Sequence, residues 1–182
     1  MNQKIAITAI ASISALGNKQ NLIWEEYLNS KTAISKKQLG TKEIWTATLP
    51  VETSLAINEL QESDSKYRNL DKSVLYAIYV SRQVIQKVGW TNKDTFGINI
   101  GSSRGATELF EKYHTEFIKT NKVSTLASPT TTLGNISSWV ANDLQSCGPE
   151  ISHSITCSTS LHSVLNGVAW IKAGMVDKFL VG

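Results

Sequence analysis

The chain has 182 residues, 41% of them apolar and 18% charged, with a formal net charge of +3. That length supports one domain with a substantial core, and the composition excludes a disordered chain. So small a charge, with no long Lys/Arg run, argues against nucleic acid; Cys147 and Cys157 show no metal-ligand spacing, and two thiols in a chain this long indicate a reducing compartment.

After Met1-Asn2-Gln3-Lys4, the run Ile5 to Ile10 is apolar on both faces except at Thr8. That is the pattern of a strand at the buried centre of a parallel sheet. The run is broken by Ser12 and Ser14, too short for a membrane span and unlike a secretory leader, so a soluble cytoplasmic protein with no membrane partner is expected. Ser14-Ala15-Leu16-Gly17-Asn18 predicts a turn, and apolar residues at 22, 23, 24, 27 and 28 predict a short helix. Residues 35–66 carry the least pattern. Lys36-Lys37 and Glu62 to Lys66 read as solvated loop charges, and a strand is admitted from Trp45 to Val51, ended near Pro50.

Val74, Ala77, Ile78, Ser81, Val84, Ile85 and Val88 share one helical face, while Arg82, Gln83, Gln86 and Lys87 lie off it. Gly89 is the expected C′ stop. Phe96 to Ile100 alternates as a strand and enters the turn Gly101-Ser102-Ser103-Arg104-Gly105, ahead of a helix over 106–120. That turn lacks the Lys-Ser/Thr of a P-loop and the third glycine of a dinucleotide fingerprint, so it reads as a tight βα connection. A helix follows over 136–145, and Gly148-Pro149 turns the chain into the next strand. Strands alternating with helices, without repeat or linker, argue for an α/β layered fold with a mostly parallel sheet.

The last stretch begins at Ile151 as a β-branched run and passes at Cys157 into a nearly uncharged apolar segment reaching Gly174, a strand and then a buried helix. Cys157 stands at the change of period, with its thiol expected on the first turn of that helix. Free N–H groups and the positive end of the helix dipole favour a thiolate there, as at a nucleophile elbow. Cysteines are also common packing residues, and position alone leaves both readings open. The histidines are less suggestive. His162 lies about 140° round the helix from Cys157, where it would pair with Asn166. His153, on the strand, would be about 13 Å away if extended, and His114 falls in a charged helix. Each is expected to be satisfied or solvated rather than catalytic.

Thr156-Cys157-Ser158-Thr159-Ser160, the apolar helix, Ala173-Gly174 and the strand from Asp177 to Gly182 resemble the nucleophile segment of the β-ketoacyl synthases. Those are the condensing enzymes of fatty-acid and polyketide synthesis, in the thiolase superfamily. The resemblance runs along nearly the whole chain, through Leu16-Gly17-Asn18, Trp24, Ala33-Ile34, Arg68 with Leu70-Asp71, the Gly101-Ser102 turn, Ser128-Pro129, Asn135 and Gly148-Pro149. It departs at Ala9 and Ala11, where the family has glycines. The spacing from Ser128-Pro129 to Asn135 is also short, which leaves acyl-chain length open.

The resemblance implies a thiolase-like fold: one αβ half of a five-layer αβαβα architecture, a mostly parallel mixed sheet with helices on both faces. Residues 1–182 would form the N-terminal domain. The C-terminal half, which in the family bears two histidines, a lysine and a Gly-rich turn, would be absent from this chain. The implied reaction is a decarboxylative Claisen condensation. Cys157 would be the acyl-accepting nucleophile and its own backbone N–H an oxyanion donor. No metal or organic cofactor is implied. Substrates would arrive on the phosphopantetheine of an acyl carrier protein, and a homodimer or a ketosynthase partner subunit would be the assembly. The alternatives are a non-catalytic partner of a full-length ketosynthase and a coenzyme A-dependent thiolase-superfamily relative. Leu161, Val164, Leu165, Val168, Ala169, Trp170 and Ile171 leave the last helix little polar surface, and Ser160, Ser163 and Gly167 would admit another helix closely. Alone, the chain would then expose a large apolar patch.

Overall fold

The computed structural model describes residues 4–29 and 32–182. The segment from Lys4 to Ile13 runs without strand partners, with Ile7 75% exposed. This corrects the expectation of a central strand over Ile5 to Ile10. An apolar run supplies side chains for two faces, but a strand also needs neighbours for its backbone, and none of the described strands lies beside it. The segment is instead held by Lys87 Nζ donating to the Ile10 carbonyl at 2.7 Å, and the turn after it by Asn18 Nδ2 donating to the Tyr79 hydroxyl at 3.0 Å.

The expected turn closes through two Ser14–Gly17 backbone hydrogen bonds of 3.0 Å. Helix α1 spans Gln20–Leu28 and buries no residue. Strands β1 (Ile34–Leu39) and β2 (Lys42–Ala47) form an antiparallel hairpin turned at Gly40. Helix α2, Val51–Glu62, was not visible as a pattern; Thr53, Ile57 and Leu60 form its buried face.

Helix α3, Lys72–Val88, buries Val74, Ile78 and Ser81 of its predicted face and, beside them, Leu75, which the predicted face left out. Asp71 caps it by accepting the Ser73 N–H at 2.9 Å, and Gly89 ends it at φ 69°, its N–H bonded to the Ile85 carbonyl. Val74, Leu75 and Ile78 are fully buried. Then follow β3 (Gly97–Asn99), α4 (Thr107–Thr120), the short α5 (Ala127–Thr131), α6 (Asn135–Leu144), β4 (Glu150–Ile151), α7 (Thr159–Lys172) and β5 (Phe179–Val181).

The three strands of the second sheet run parallel in the order β4-β3-β5, with Ile98 opposite both Glu150 and Leu180. Alternation along β3 assigns its faces. Phe96, Ile98 and Ile100 join the core made with α2, α3 and α6, where Ile57, Leu75, Ile136 and Val140 lie. The opposite face carries Gly97, Asn99 and Gly101, and α7 packs there against β3 and β5. Helices therefore cover both faces of a parallel sheet, as one thiolase-like half requires.

Candidate active site

The chain reaches Cys157 differently from the sequence expectation. Strand β4 ends at Ile151, residues 152–155 are irregular, and one 3₁₀ turn over Thr156–Ser158 separates them from α7. The expected direct passage from a short strand beginning at Ile151 into a helix is thus corrected. Past the end of β4, Ser152 and Ser154 bond to other segments of the chain. Ser152 Oγ accepts the Ser137 N–H at 3.1 Å, and Ser154 Oγ donates to the Ser103 carbonyl at 3.3 Å.

Cys157 is an exposed free thiol, as is Cys147. The residue before it, Thr156, has φ 47°. A β-branched residue in the left-handed region costs on the order of 1–2 kcal/mol. Local hydrogen bonds offset that strain. Thr159 Oγ1 accepts the Ile155 N–H at 2.9 Å and donates to the Thr156 carbonyl at 2.7 Å. Ser158 contributes its hydroxyl and its N–H to the Ile155 carbonyl, at 3.0 and 3.2 Å. Neither the Thr156 nor the Cys157 N–H finds an acceptor among the described residues. The thiol therefore stands on a braced turn, beside free amides at the start of a 14-residue helix. Such a place stabilises negative charge on sulfur or on an adjacent oxygen.

The histidines take three different positions. His162 Nδ1 lies 3.0 Å from the Ser158 carbonyl oxygen, so its predicted pairing with Asn166 is replaced by a bond to the preceding helical turn. His114 stacks on Phe110, with ring centroids 6.4 Å apart, on the exposed face of α4. His153 is inserted under the turn that carries Cys157. Its Nδ1 lies 3.1 Å from Asn99 Oδ1 and its Nε2 lies 3.2 Å from the Thr159 carbonyl oxygen. This contact with the turn was not anticipated; Asn99, a buried polar residue within an apolar strand, was the sequence signal for it.

The close packing of α7 explains the small residues around the site. A Cβ at Gly101 would stand 2.1 Å from Thr159 Cγ2 and 2.8 Å from the His153 carbonyl oxygen. A Cβ at Gly167 would stand 2.8 Å from Val181 Cγ1. Ser163 and Gly167 thus admit the chain's own sheet, not another helix as their spacing suggested, while Ser160 is exposed. Leu161 and Leu165 point away, 74% and 60% exposed. Among the described residues, no three His, Cys, Asp or Glu side chains gather as a metal site, and no helix is long and apolar enough to cross a membrane.

The family model for the beta-ketoacyl synthase, N-terminal domain, matches residues 2–182. The chain is similar to 3-oxoacyl-[acyl-carrier-protein] synthase 2 of Staphylococcus aureus strain COL, 24% identical over all of this chain and 45% of that protein. It is also similar to the enzyme of the same name from Coxiella burnetii, 25% identical over 99% of this chain and 45% of that one. The chain therefore spans about half the length of the curated relatives it matches. Among solved structures, a beta-ketoacyl synthase from Burkholderia phymatum STM815 superposes with TM-score 0.76 at 17% identity, over 93% of this chain and 44% of that one. The ishigamide ketosynthase/chain length factor superposes with TM-score 0.79 at 16% identity, over 97% of this chain and 46% of the other.

Proposed function

The chain belongs to the β-ketoacyl synthase N-terminal domain family, and from that premise we propose that it is the acyl-accepting half of a condensing enzyme, with Cys157 as nucleophile. The observation that carries this reading is the exposed Cys157 thiol on a braced turn with free amides at the start of α7. The thiolate attacks the carbonyl carbon of an acyl group carried as a thioester on the phosphopantetheine of an acyl carrier protein. The carbonyl π electrons move onto oxygen, and the Cys157 N–H donates to that oxyanion. The carrier thiolate leaves and takes up a proton, and the acyl group remains on Sγ.

A malonyl-carrier thioester then loses carbon dioxide as its C–C bond breaks. The released electron pair forms an enolate whose carbon attacks the acyl-cysteine carbonyl. The C–S bond breaks, Cys157 is regenerated as thiolate, and a β-ketoacyl-carrier thioester departs. The groups that stabilise the enolate, two histidines and a lysine, belong to a C-terminal half beyond residues 1–182, so this chain alone is inactive in condensation. The enzyme uses no metal or organic cofactor, assembles as a homodimer or with a ketosynthase partner, and works in the cytoplasm. The cytoplasmic reading is supported by two unpaired thiols.

The test is carbon dioxide release and β-ketoacyl product formation by the complete protein, given acyl- and malonyl-carrier thioesters. Product that disappears in Cys157→Ala supports the reading; undiminished product in that variant overturns it. A second reading, a non-catalytic partner subunit, is favoured by the likeness to a ketosynthase/chain length factor pair. It predicts no condensation until a separate ketosynthase is added, and no effect of Cys157→Ala when it is.

A further inference from the structure

The His153–Asn99 pair poses a hydrogen-bonding problem with one good solution. With Asn99 Oδ1 facing Nδ1 and the Thr159 carbonyl facing Nε2, both ring nitrogens need protons, so the ring is an imidazolium. In that arrangement Asn99 Nδ2, on a side chain with no exposure, has no partner among the described residues. Turning the amide over occupies the same space and removes both penalties. Nδ2–H then donates to the Nδ1 lone pair, and Nε2–H donates to the Thr159 carbonyl. The atom left without a partner becomes Oδ1, and an under-satisfied carbonyl is tolerated better than an orphaned N–H.

We propose that His153 is a positioning residue for Cys157: a neutral imidazole, protonated on Nε2, that fastens the nucleophile turn to the central strand through Asn99 and Thr159. The mechanical link is short. The Thr159 carbonyl takes the imidazole N–H, and the same residue's hydroxyl holds the Ile155 N–H and the Thr156 carbonyl immediately before the cysteine. Strand β3 is rigid there, since Asn99 pairs with Val181 on one side and Ile151 on the other. Gly101 closes the remaining space against both Thr159 and His153. His153 touches no reacting atom in this scheme; it acts through Thr159.

The inference rests on the reading of Cys157 as the nucleophile, and Cys147, also an exposed thiol, supplies an internal control for it. In the complete protein, the rate of iodoacetamide labelling at Cys157 is read relative to Cys147 by peptide mass mapping. His153→Val is expected to lower that ratio by about tenfold, the worth of one hydrogen bond. His153→Gln, whose carboxamide offers both a donor for Thr159 and an acceptor for Asn99, is expected to restore it to within about threefold. A folded His153→Val protein with an unchanged ratio overturns the proposal. Ring-15N spectra of histidine-labelled wild-type protein decide the matter even where the valine variant does not fold. The expected pattern is a protonated Nε2 and a bare Nδ1, and a ring protonated on Nδ1 overturns the assignment. A wild-type ratio near one defeats the nucleophile reading by itself, and the ring spectrum still judges His153.

Discussion

Asp94 and Asp143 show how single carboxylates tie this domain together in different ways. Asp94 accepts from Lys178, from the Thr91 N–H at 2.8 Å and from the Thr91 hydroxyl at 3.2 Å, joining the segments that lead into β3 and β5. The Lys178 hydrogen bond, followed by that from Thr91, lowers its pKa from 3.8 to about 2. A carboxyl depressed on folding contributes stability that is present above its unfolded value and lost as pH falls through the folded one. Asp94→Asn should therefore lower the urea midpoint at neutral pH, and the gap to wild type should close as pH falls from 3.8 toward about 2. A gap of constant size across that window would contradict the assignment. The Asp143 side chain is 1% exposed and accepts from two Arg82 nitrogens, Nε at 2.9 Å and Nη2 at 2.7 Å, and from the Tyr67 hydroxyl. Burial, then the bond to Asp143, raises the Tyr67 pKa. Arg82→Met strands a buried carboxylate and should cost about 2–3 kcal/mol in denaturant titrations. Tyr67→Phe should cost about 1 kcal/mol.

At the scale of elements, α3 carries the clearest correspondence between pattern and structure. Its apolar stripe and its stop at Gly89 were legible, because each is a local signal. Asp71 also accepts the Leu109 N–H of α4 at 3.3 Å, a long-range contact that no local signal contains. Asp71→Ala should cost about 1–2 kcal/mol, measured by thermal or chemical unfolding. Helix α2 was missed because a threonine begins its buried face and polar residues interrupt it. The opening run was misassigned for the opposite reason: its composition suits a strand, but strand pairing is decided by distant partners. In α7 Ser163 and Gly167 face the sheet while Leu161 and Leu165 face out, which composition could not distinguish. Gly167→Val would push Val181 or the helix aside and should cost about 1–3 kcal/mol. The segment around Cys157 was legible as a change of period, whereas the His153–Asn99 contact depends on a tertiary fit between two strands' ends.

At the scale of the whole molecule, the exposed apolar surface is the dominant property. Leu161 and Leu165 on α7, Trp24, Tyr27 and Leu28 on α1, and Ile7 and Ile10 before it are all open to solvent. Surface of this kind requires cover. Expressed by itself, the 182-residue chain should self-associate with rising concentration in sedimentation experiments, and Leu161→Lys with Leu165→Lys should weaken that association. A monodisperse monomer at high concentration would contradict it. The matched relatives are about twice as long as this chain.

The central claim concerns one thiol, and peptide mapping tests it directly. The complete protein is incubated with an acyl-carrier thioester, quenched in acid, digested and analysed by mass spectrometry. The account predicts the acyl group as a hydroxylamine-labile thioester on Cys157, with Cys147 unmodified. An acyl group spread equally over both cysteines, or none on Cys157, would contradict it.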